Sequence, residues 1–453
     1  MYRTTDNNQG IEISKIFKPE DVSAIHADLS KIANQKIGDL IKSHENLLIF
    51  PSAIDEYNDD LSSGTIINLS GDKIFTHNIM GFVGCNDSEL TIFSRFYSGE
   101  NDYFLHYMLQ KVFSINMFDL KHSAAKESLW DFLLYLFPPL LKKALSQGLF
   151  KEYQRRQHNN ANVRGAIDMN RHIRTNIPFA GKIAYCTREH SYDNGMTHLI
   201  RHTIEHIRKH KFGANILNND SDTQKAVLQI IHATPSYDRN QRVKIIHKNV
   251  NPSNHPYFTE YRVLQKICLQ ILRYEGLTFG KEKNKVYGLL FDGAWLWEEY
   301  LNTILKVQNF IHPRNKGKAG EKKPIYLFKD HLYKRFPDFY CRHKSIVLDA
   351  KYKHLEYVSE INREDIHQII SYMYVLKSKS GGFIFPVQKT NDETWADSKL
   401  IGTLNGFGGN INLLGLPIDS NAKNFSDFCN AMKMVENDLL KNISTIINID
   451  LPD

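Results

Sequence analysis

The 453-residue chain has few cysteines, and none of them lie close together in the sequence. Structural zinc sites and redox motifs need pairs of cysteines that are only a few residues apart. The spacing therefore excludes a CxxC type of site, and isolated cysteines are typical of proteins from a reducing cytosol. The five cysteines are Cys85, Cys186, Cys268, Cys341 and Cys429.

The chain also lacks a long uninterrupted apolar segment. Its first residues, MYRTTDNNQGIEIS, contain no apolar core of the signal-peptide kind. The most apolar run, LWDFLLYLFPPLLKKAL, is interrupted by Asp131, by Pro138 and Pro139, and by two lysines. We interpret this run as a buried helix with a break, and not as a membrane span. These features predict a cytoplasmic protein with no membrane association.

Several enzyme signatures are missing as well. The chain has no GxxxxGK[ST] loop for nucleotide phosphates, and no serine–histidine or cysteine–histidine pair with the spacing of a nucleophile. Histidines 198, 202, 206 and 210 recur every four residues on a predicted helix. Without an HExxH arrangement, and among arginines and lysines, we expect them on a solvated or partner-facing surface and not at a zinc site.

The composition is that of a folded protein with a mildly basic surface. Hydrophobic residues make up 42% and charged residues 24%, and the length predicts two or three domains. The formal net charge is +7, with an isoelectric point near 8.8. This favours polyanions such as nucleic acid only weakly. A solvated, slightly basic surface explains the charge equally well.

The hydrophobic pattern divides the chain into three parts and predicts a multidomain α+β fold. Residues 1–98 contain β-type runs and a short helix near residues 20–34, and SGDK predicts a hairpin turn. Residues 99–285 are mainly helical and include a polar, basic, loop-rich piece, YQRRQHNNANVRGAIDMNRHIRTN. Residues 286–453 alternate helices with strands, which predicts helices packed on a central sheet.

The stretch RFPDFYCRHKSIVLDAKYKHL, residues 335–355, carries the chemistry of interest. Phosphodiester hydrolysis with metal ions needs two carboxylates and a positive charge held on rigid elements. The two-residue period of a strand places Val347, Asp349 and Lys351 on one face. A turn near RHKS would return Asp338 to Asp349. An ordinary surface hairpin with a salt-bridged aspartate and lysine is the alternative interpretation.

Residues outside the hairpin fit the same site. Gln368 and Tyr372 are four apart on the next predicted helix, and Asp365 shares their face. Glu298 borders the apolar stripe of the helix before the hairpin, so it can point toward the same place. The order of an acidic helix, a PD strand, a strand ending in DAK and a QxxxY helix favours the functional interpretation.

This order resembles the PD-(D/E)xK nuclease superfamily, in its branch with a QxxxY helix, and more narrowly the McrC family. The similarity rests on LWEEYL, IVLDAKYK, QIISYMYVL and GGFIFP, and extends upstream to VRGAID, HSYDNGMTHLIRHTI and DYFLHYML. It covers the chain from about residue 100 to the C-terminus. The N-terminal hundred residues are less typical, although FVGCNDSELTIFSRF resembles a β-rich module of longer members.

The resemblance implies a C-terminal restriction-endonuclease-like α/β core that works with Mg²⁺. Asp338 and Asp349 would be metal ligands beside the carbonyl of Ala350, and Lys351 would be the catalytic lysine. Glu298 would be an accessory acid, and Gln368 and Tyr372 would position substrate or lysine. We expect residues 1–98 to form a β-rich domain that binds DNA, residues 99–285 a mainly helical domain that engages the GTPase partner, and residues 286–453 the nuclease domain.

The resemblance also implies two partners, double-stranded DNA and an McrB-like AAA+ GTPase hexamer. That partner would bind GTP, which agrees with the missing phosphate-binding loop, and the chain would stimulate its GTP hydrolysis. A solvated loop or surface remains the alternative for each basic segment. The predicted DNA contacts are Lys334, Arg335, Arg314, Lys316 and Lys318. The predicted partner contacts are Arg164, Arg171 and Arg174.

Two further hypotheses remain open at this point. The chain would be mainly a binding and activating subunit if its nuclease site were weak or idle. It would be a stand-alone nuclease if it needed no partner, but the large helical middle region argues against this. All the expected polar positions of the site are filled, which argues against an idle site.

Overall fold

The computed structural model describes residues 2–17, 22–44, 47–51, 59–86, 88–96, 102–113, 125–210, 213–218, 220–251, 253, 255–277, 286–313, 324–354, 361–388, 399–406, 408–419 and 422–449. Two compact units form. The first comprises residues 1–129 and 282–453, and the second comprises residues 130–281. The predicted multidomain α+β fold is therefore confirmed in its class.

Within the described residues, strands and helices are numbered in chain order. The strands are β1 (Tyr2–Thr5), β2 (Ile11–Glu12), β3 (Leu47–Phe50), β4 (Ile67–Ser70), β5 (Lys73–Thr76), β6 (Ile79–Cys85), β7 (Ser88–Phe93), β8 (Glu152–Asn160), β9 (Ala166–Ile167), β10 (Ile183–Ser191), β11 (Val286–Asp292), β12 (Ile325–Tyr326), β13 (Lys334–Arg335), β14 (Phe339–Cys341), β15 (Ile346–Ala350), β16 (Ser380–Gln388), β17 (Lys399–Thr403) and β18 (Asn410–Ile418). The helices are α1 (Ile13–Ile16), α2 (Val22–Leu29), α3 (Ile37–Ser43), α4 (Asp59–Ser63), α5 (Tyr103–Phe113), α6 (Ala125–Leu145), α7 (Met169–Thr175), α8 (Gly195–Lys209), α9 (Gly213–Leu217), α10 (Ser221–Ala233), α11 (Arg242–Lys248), α12 (Glu260–Leu277), α13 (Gly293–Leu305), α14 (Arg363–Leu376) and α15 (Phe425–Ile449).

The N-terminal part of the first unit contains a five-stranded sheet in the order β1-β7-β6-β11-β3. A second sheet, β2-β5-β4, contains the predicted SGDK hairpin, in which Gly71 adopts a φ of 57°. Close pairing of β6 with β11 depends on Gly81, because an added Cβ would lie 2.1 Å from the Leu289 carbonyl oxygen. The sheet thus joins segments about 200 residues apart in sequence.

The observed division differs from the predicted one at β11. The prediction placed residue 286 at the start of a separate nuclease domain, but β11 pairs with β6 and β3. Val286 and Leu290 belong to the same buried core as Ile13 and Ile25 of the N-terminal part. The partners of this apolar strand leave no local signal in the sequence. Residues 1–129 and 282–453 are accordingly one unit.

The C-terminal sheet has the order β14-β15-β16-β18-β17. β15, β16 and β18 are parallel, and α14 connects β15 to β16. Val347, Phe383 and Leu413 pack with Ile369 and Met373 of α14 on one face. Leu348 and Ile384, of opposite parity, are also buried, as expected when both faces of parallel strands are covered. The sheet is therefore a rigid base for side chains at the ends of its strands.

The second unit is mainly helical, as predicted, but its basic piece is not a loop. β8, β9 and β10 form a three-stranded sheet in the order β8-β10-β9, with α7 packed on β10. β8 has little apolar periodicity and is largely exposed, so its sequence resembles a loop.

In α6, the helix continues through Pro138 and Pro139, so the predicted break is wrong. Buried residues on both sides, such as Phe137 and Leu141, hold the helix together.

The histidine series of α8 does not form one solvated face. His202 is buried and lies 3.2 Å from the Tyr237 hydroxyl through its Nδ1 atom. His198 Nε2 pairs with the Asp193 carboxylate at 2.5 Å. The prediction of a solvated surface is therefore wrong for His202, because α8 is wrapped by α10, α11 and α12.

Among the described residues, no helix combines the length and apolar character needed to cross a membrane.

Candidate active site

The predicted hairpin brings Asp338 and Asp349 together. β14 and β15 pair with Phe339 opposite Leu348, so the register continues to Asp338 opposite Asp349. Residues 342–345 form the turn, and Ser345 adopts a φ of 49°. Asp338 Oδ2 accepts a hydrogen bond of 2.7 Å from the Ala350 amide. The two carboxylates are thus fixed by backbone pairing at the carboxyl end of β15, where ligands of parallel sheets usually bind.

Asp338 is surrounded by negative charge. Burial raises its pKa well above the usual range, and the like charges of Asp349 and Glu298 raise it further. Its backbone carbonyl accepts a hydrogen bond of 2.6 Å from His312 Nδ1, and the His312 ring stacks on Phe339. His312 was missed by the sequence analysis because no motif marks it. The Lys351 charge lowers the pKa of Asp338, but it does not outweigh burial and the repulsion between the acidic groups.

Asp349 and Lys351 form an ion pair. Asp349 is 3% exposed, and its Oδ2 atom lies 2.7 Å from Lys351 Nζ. Apart from Lys351, Oδ2 has no hydrogen-bond partner among the described residues. Burial raises the pKa of Asp349, while the Lys351 charge opposes the rise. Asp349 Oδ2 is therefore a buried acceptor with unused capacity.

Lys351 lies between two carboxylates. Its Nζ atom is 2.8 Å from Asp365 Oδ1, and Lys353 approaches the other oxygen of Asp365 at 2.9 Å. Burial opposes a charged lysine, but Asp349 and Asp365 outweigh it and raise the pKa of Lys351. Burial likewise opposes a charged Asp365, but the two lysines lower its pKa. Asp365 and Lys353 thus belong to the site, although only the helical face of Asp365 was visible in the sequence.

The QxxxY pair lies beside the carboxylates. Gln368 Nε2 donates a hydrogen bond of 2.7 Å to the Tyr372 hydroxyl, one turn further along α14. Tyr372 is buried, and burial raises its pKa, with a further contribution from the charges of Asp338 and Asp349. The hydroxyl is therefore within electrostatic reach of both predicted metal ligands.

The N-terminal sheet positions Glu298, because the helix that carries this residue starts at the end of one of its strands. α13 begins where β11 ends, with the Gly293 amide donating to the Asn78 carbonyl at 2.8 Å. The Asp292 side chain caps the helix by accepting from the Trp295 amide at 3.0 Å. Trp297 is fully buried and holds the helix in place, while Glu298 is half-buried. Because Glu298 raises the pKa of Asp338, its carboxylate is close to the hairpin site.

The segment after Lys351 is held by Arg95, another residue missed by the sequence analysis. The Arg95 guanidinium donates to the Tyr352 carbonyl at 3.3 Å and lies over the Tyr352 ring at 4.7 Å. It is fixed by the buried Asp6 carboxylate at 2.6 Å and by Asn78. The end of β15 is thus supported by the N-terminal sheet.

The donors fit a hard divalent cation. Among the described residues, no three histidine, cysteine, aspartate or glutamate side chains converge as a ready-made metal cage. Two carboxylates and the neighbouring Ala350 carbonyl are the oxygen ligands that Mg²⁺ prefers, with water completing its shell. Asp349 Oδ2 can accept a second partner besides Lys351, and this capacity and the repulsion around Asp338 both favour a metal cation there.

The other predicted contacts differ in their surroundings. Lys334 and Arg335 are exposed on β13, just before Asp338, while the predicted contacts at positions 314, 316 and 318 lie outside the described residues. Arg164 and Arg174 are exposed. Arg171 donates to the carbonyls of His158 and Tyr185 at 2.9 and 2.7 Å, which makes it a support of the small sheet.

The fold and site define a two-unit α+β protein with an acidic cluster and two lysines, Lys351 and Lys353, at the end of its C-terminal sheet. A family model described as the McrBC 5-methylcytosine restriction system component matches residues 74–386. Because this is more than half of the 453 residues, the chain belongs to the McrBC family.

No curated protein matches the chain. Solved structures similar to it include two McrBC assemblies. One is a refined half-complex from the tetradecameric assembly of Thermococcus gammatolerans McrB AAA+ hexamers with bound McrC. It shares 15% identity, with 96% of this chain and 99% of that chain covered and a TM-score of 0.48. The other is the cryo-EM structure of the Thermococcus gammatolerans McrBC complex. It shares 15% identity, with 67% and 87% covered and a TM-score of 0.35.

Proposed function

We propose that this protein is the Mg²⁺-dependent endodeoxyribonuclease subunit of a GTP-dependent restriction system. The observation that carries the proposal is the meeting of Asp338, Asp349 and Lys351 at the end of β15, beside the Gln368–Tyr372 pair. A PD-(D/E)xK site, as expected from the sequence, would require these residues to lie together. An ordinary salt-bridged hairpin does not explain why a third carboxylate and a buried tyrosine face the same two aspartates.

Asp338, Asp349 and the Ala350 carbonyl would hold the metal ion. When bound, Mg²⁺ supplies charge neutralisation on the phosphate and a more acidic water. Lys351 is held as a charged group by carboxylates at 2.7 and 2.8 Å, so its role is to stabilise negative charge that develops on the phosphate. Asp365 keeps the lysine in place before DNA binds.

The remaining polar residues position groups around the metal ligands. Gln368 donates to the Tyr372 hydroxyl, and that hydroxyl can in turn donate toward the carboxylates or a phosphate oxygen. Glu298 adds negative charge next to Asp338 and serves as the accessory acid. His312 holds the Asp338 backbone in place by donating to the Asp338 carbonyl.

The partner is an McrB-like AAA+ GTPase that binds GTP and brings DNA to the site. The segment from β8 to β10, residues 152–191, supports this part of the proposal because many of its large apolar side chains are exposed, which is typical of a protein-binding surface. Arg164 and Arg174 lie in the same segment and are exposed, so they can approach a partner's nucleotide. The exposed apolar residues are Tyr153, Val163, Ile167, Met169, Ile173, Ile177 and Phe179.

The testing experiment is plasmid cleavage with GTP and Mg²⁺, with and without the GTPase partner, on methylated and unmethylated DNA. Lys351→Ala and Asp349→Ala are expected to lower the cutting rate at least about a hundredfold. The first removes a positive charge that stabilises the transition state, and the second removes a metal ligand. Lys433→Ala is the matched control, since Lys433 is an exposed lysine on α15, and it should retain most of the activity. All three variants should still stimulate GTP hydrolysis.

Cutting that persists in both Lys351→Ala and Asp349→Ala would contradict the nuclease assignment. An absence of cutting by the unsubstituted chain under every condition, with GTP hydrolysis still stimulated, would make the protein an activating subunit.

A further inference from the structure

The hairpin formed by β12 and β13, residues 325–335, is an ordered projection next to the candidate active site. Ile325 pairs with Arg335 and Tyr326 with Lys334, and the Ile325 side chain is buried in the core beneath α14. The Leu327 amide donates to the Tyr333 carbonyl at 3.3 Å. The base of the hairpin is thus anchored, which fixes the direction of its tip.

The tip presents large apolar side chains to solvent. Phe328 and Leu332 are each 55% exposed and Tyr333 is 65% exposed. The rings of Phe328 and Tyr333 contact each other with centroids 5.7 Å apart. Tyr333 adopts a φ of 53°, a left-handed conformation that is uncommon for an aromatic residue. Three exposed apolar side chains within six residues indicate a surface that binds something.

The charge around this apolar tip identifies the class of occupant. Residues 326–335 carry Lys329, Lys334 and Arg335 against a single acidic residue, Asp330. Lys334 and Arg335 are exposed at the base of the tip. Cations beside apolar side chains match duplex DNA, in which phosphates flank grooves that expose apolar groups such as the thymine methyl.

The position of the hairpin agrees with this occupant. Tyr333 is five residues before Asp338, so the tip lies within ~18 Å of that carboxylate along an extended chain. This distance corresponds to about five base steps of duplex DNA. The Arg335 charge opposes the burial-driven rise in the pKa of Tyr372, which places the hairpin base close to the candidate site. DNA cut at Asp338 and Asp349 would therefore pass the tip.

We propose that the hairpin of residues 325–335 grips double-stranded DNA beside the scissile phosphate. Lys334 and Arg335 contact phosphates, and Phe328, Leu332 and Tyr333 make apolar contacts with bases in a groove. The proposal rests on the proposed nuclease function and adds to it the element that holds the substrate. It predicts that the two kinds of side chain contribute to binding in distinguishable ways.

Salt dependence of DNA affinity separates the two contributions. The full-length Asp349→Ala chain, which should not cut, is titrated onto a short fluorescent duplex at several salt concentrations. Adding Lys334→Ala or Arg335→Ala should lower the salt slope by about 0.9 for each phosphate that the protein no longer neutralises. Adding Phe328→Ala or Tyr333→Ala should weaken binding by about tenfold without changing the slope, because no counterion is involved. These residues are exposed, so their replacement should leave the fold intact.

Tyr257→Ala is the matched control, because Tyr257 is also 65% exposed but lies in the second unit. It should bind DNA like the parent. Equal affinity of the Phe328→Ala, Tyr333→Ala and parent chains would overturn the proposal. So would an effect of these two variants on GTPase stimulation alone, which would assign the hairpin to the protein partner. Failure of the nuclease assignment is seen separately, as cutting that survives Asp349→Ala.

Discussion

At the scale of single residues, the charges of the site stabilise one another as a chain of ion pairs. Lys351 has two carboxylates within 2.8 Å, and Asp365 in turn has two lysines within 2.9 Å. Removing one member of such a chain leaves a half-buried charge without its partner, which costs more than the pair contributes. Substitution of Asp365 should therefore loosen the position of Lys351, and DNA cleavage should become slower as a result.

His202 provides a pH-dependent prediction in the second unit. It is 4% exposed, and its Nε2 atom has no hydrogen-bond partner among the described residues. Burial, with the cations His198 and Arg242, lowers the pKa of His202 to about 4 from its ordinary value of 6.5. The unfolded chain therefore takes up this proton first, so the stability contribution is present above pH 6.5 and is lost as the pH falls toward 4.

The expected result is a loss of up to about 3 kcal/mol of unfolding free energy between pH 7 and pH 4. His202→Gln should not show this part of the loss. Urea unfolding of both chains at several pH values measures it, with His232→Gln as a control at an exposed histidine. An identical pH dependence for His202→Gln and the parent would contradict the prediction.

At the scale of elements, the strand end that carries Lys351 depends on the N-terminal sheet. Arg95→Ala would leave Asp6 buried and unpaired, at a cost of about 3–5 kcal/mol. The double variant Asp6→Asn/Arg95→Met removes both charges and still deletes the donor to the Tyr352 carbonyl. We expect it to fold and to cut DNA about tenfold more slowly, because small displacements of catalytic groups reduce rates strongly.

Single-turnover cleavage and thermal unfolding of the double variant are measured together. Arg3→Met is the control, because Arg3 is an exposed arginine of the same sheet that lies over Phe93. A full cleavage rate in the double variant would show that Tyr352 needs no support from Arg95. Unchanged GTPase stimulation would place the defect in the nuclease step.

These elements also show which parts of the fold local sequence predicts. The hairpin of Asp338 and Asp349 and the helix of Gln368 and Tyr372 were predictable, because a strand period, a turn and a helical spacing are short-range patterns. The Arg95–Tyr352 contact and the β6–β11 pairing join residues more than 200 positions apart. Such long-range pairings leave no periodicity in one sequence, so they appear only in the structure.

At the scale of the whole molecule, the position of β11 decides which fragments fold. Val286, Leu289, Leu290 and Phe291 are fully buried between β6 and β3. Burying each contributes about 1.5–3 kcal/mol, and together they approach the about 5–15 kcal/mol that stabilises a whole domain. A fragment of residues 286–453, which the sequence analysis predicted as a domain, should therefore fail to fold alone.

A fragment of residues 125–281 should behave differently, because α8 packs on α10, α11 and α12 within it. We expect it to unfold in one cooperative transition followed by circular dichroism, with the helical content of the second unit. The 286–453 fragment should show no cooperative transition and should bind a dye for exposed apolar surface. Adding a separate 1–129 fragment should restore a transition, since it supplies β3 and β6. Cooperative unfolding of 286–453 by itself would contradict the two-unit division and favour the predicted independent nuclease domain.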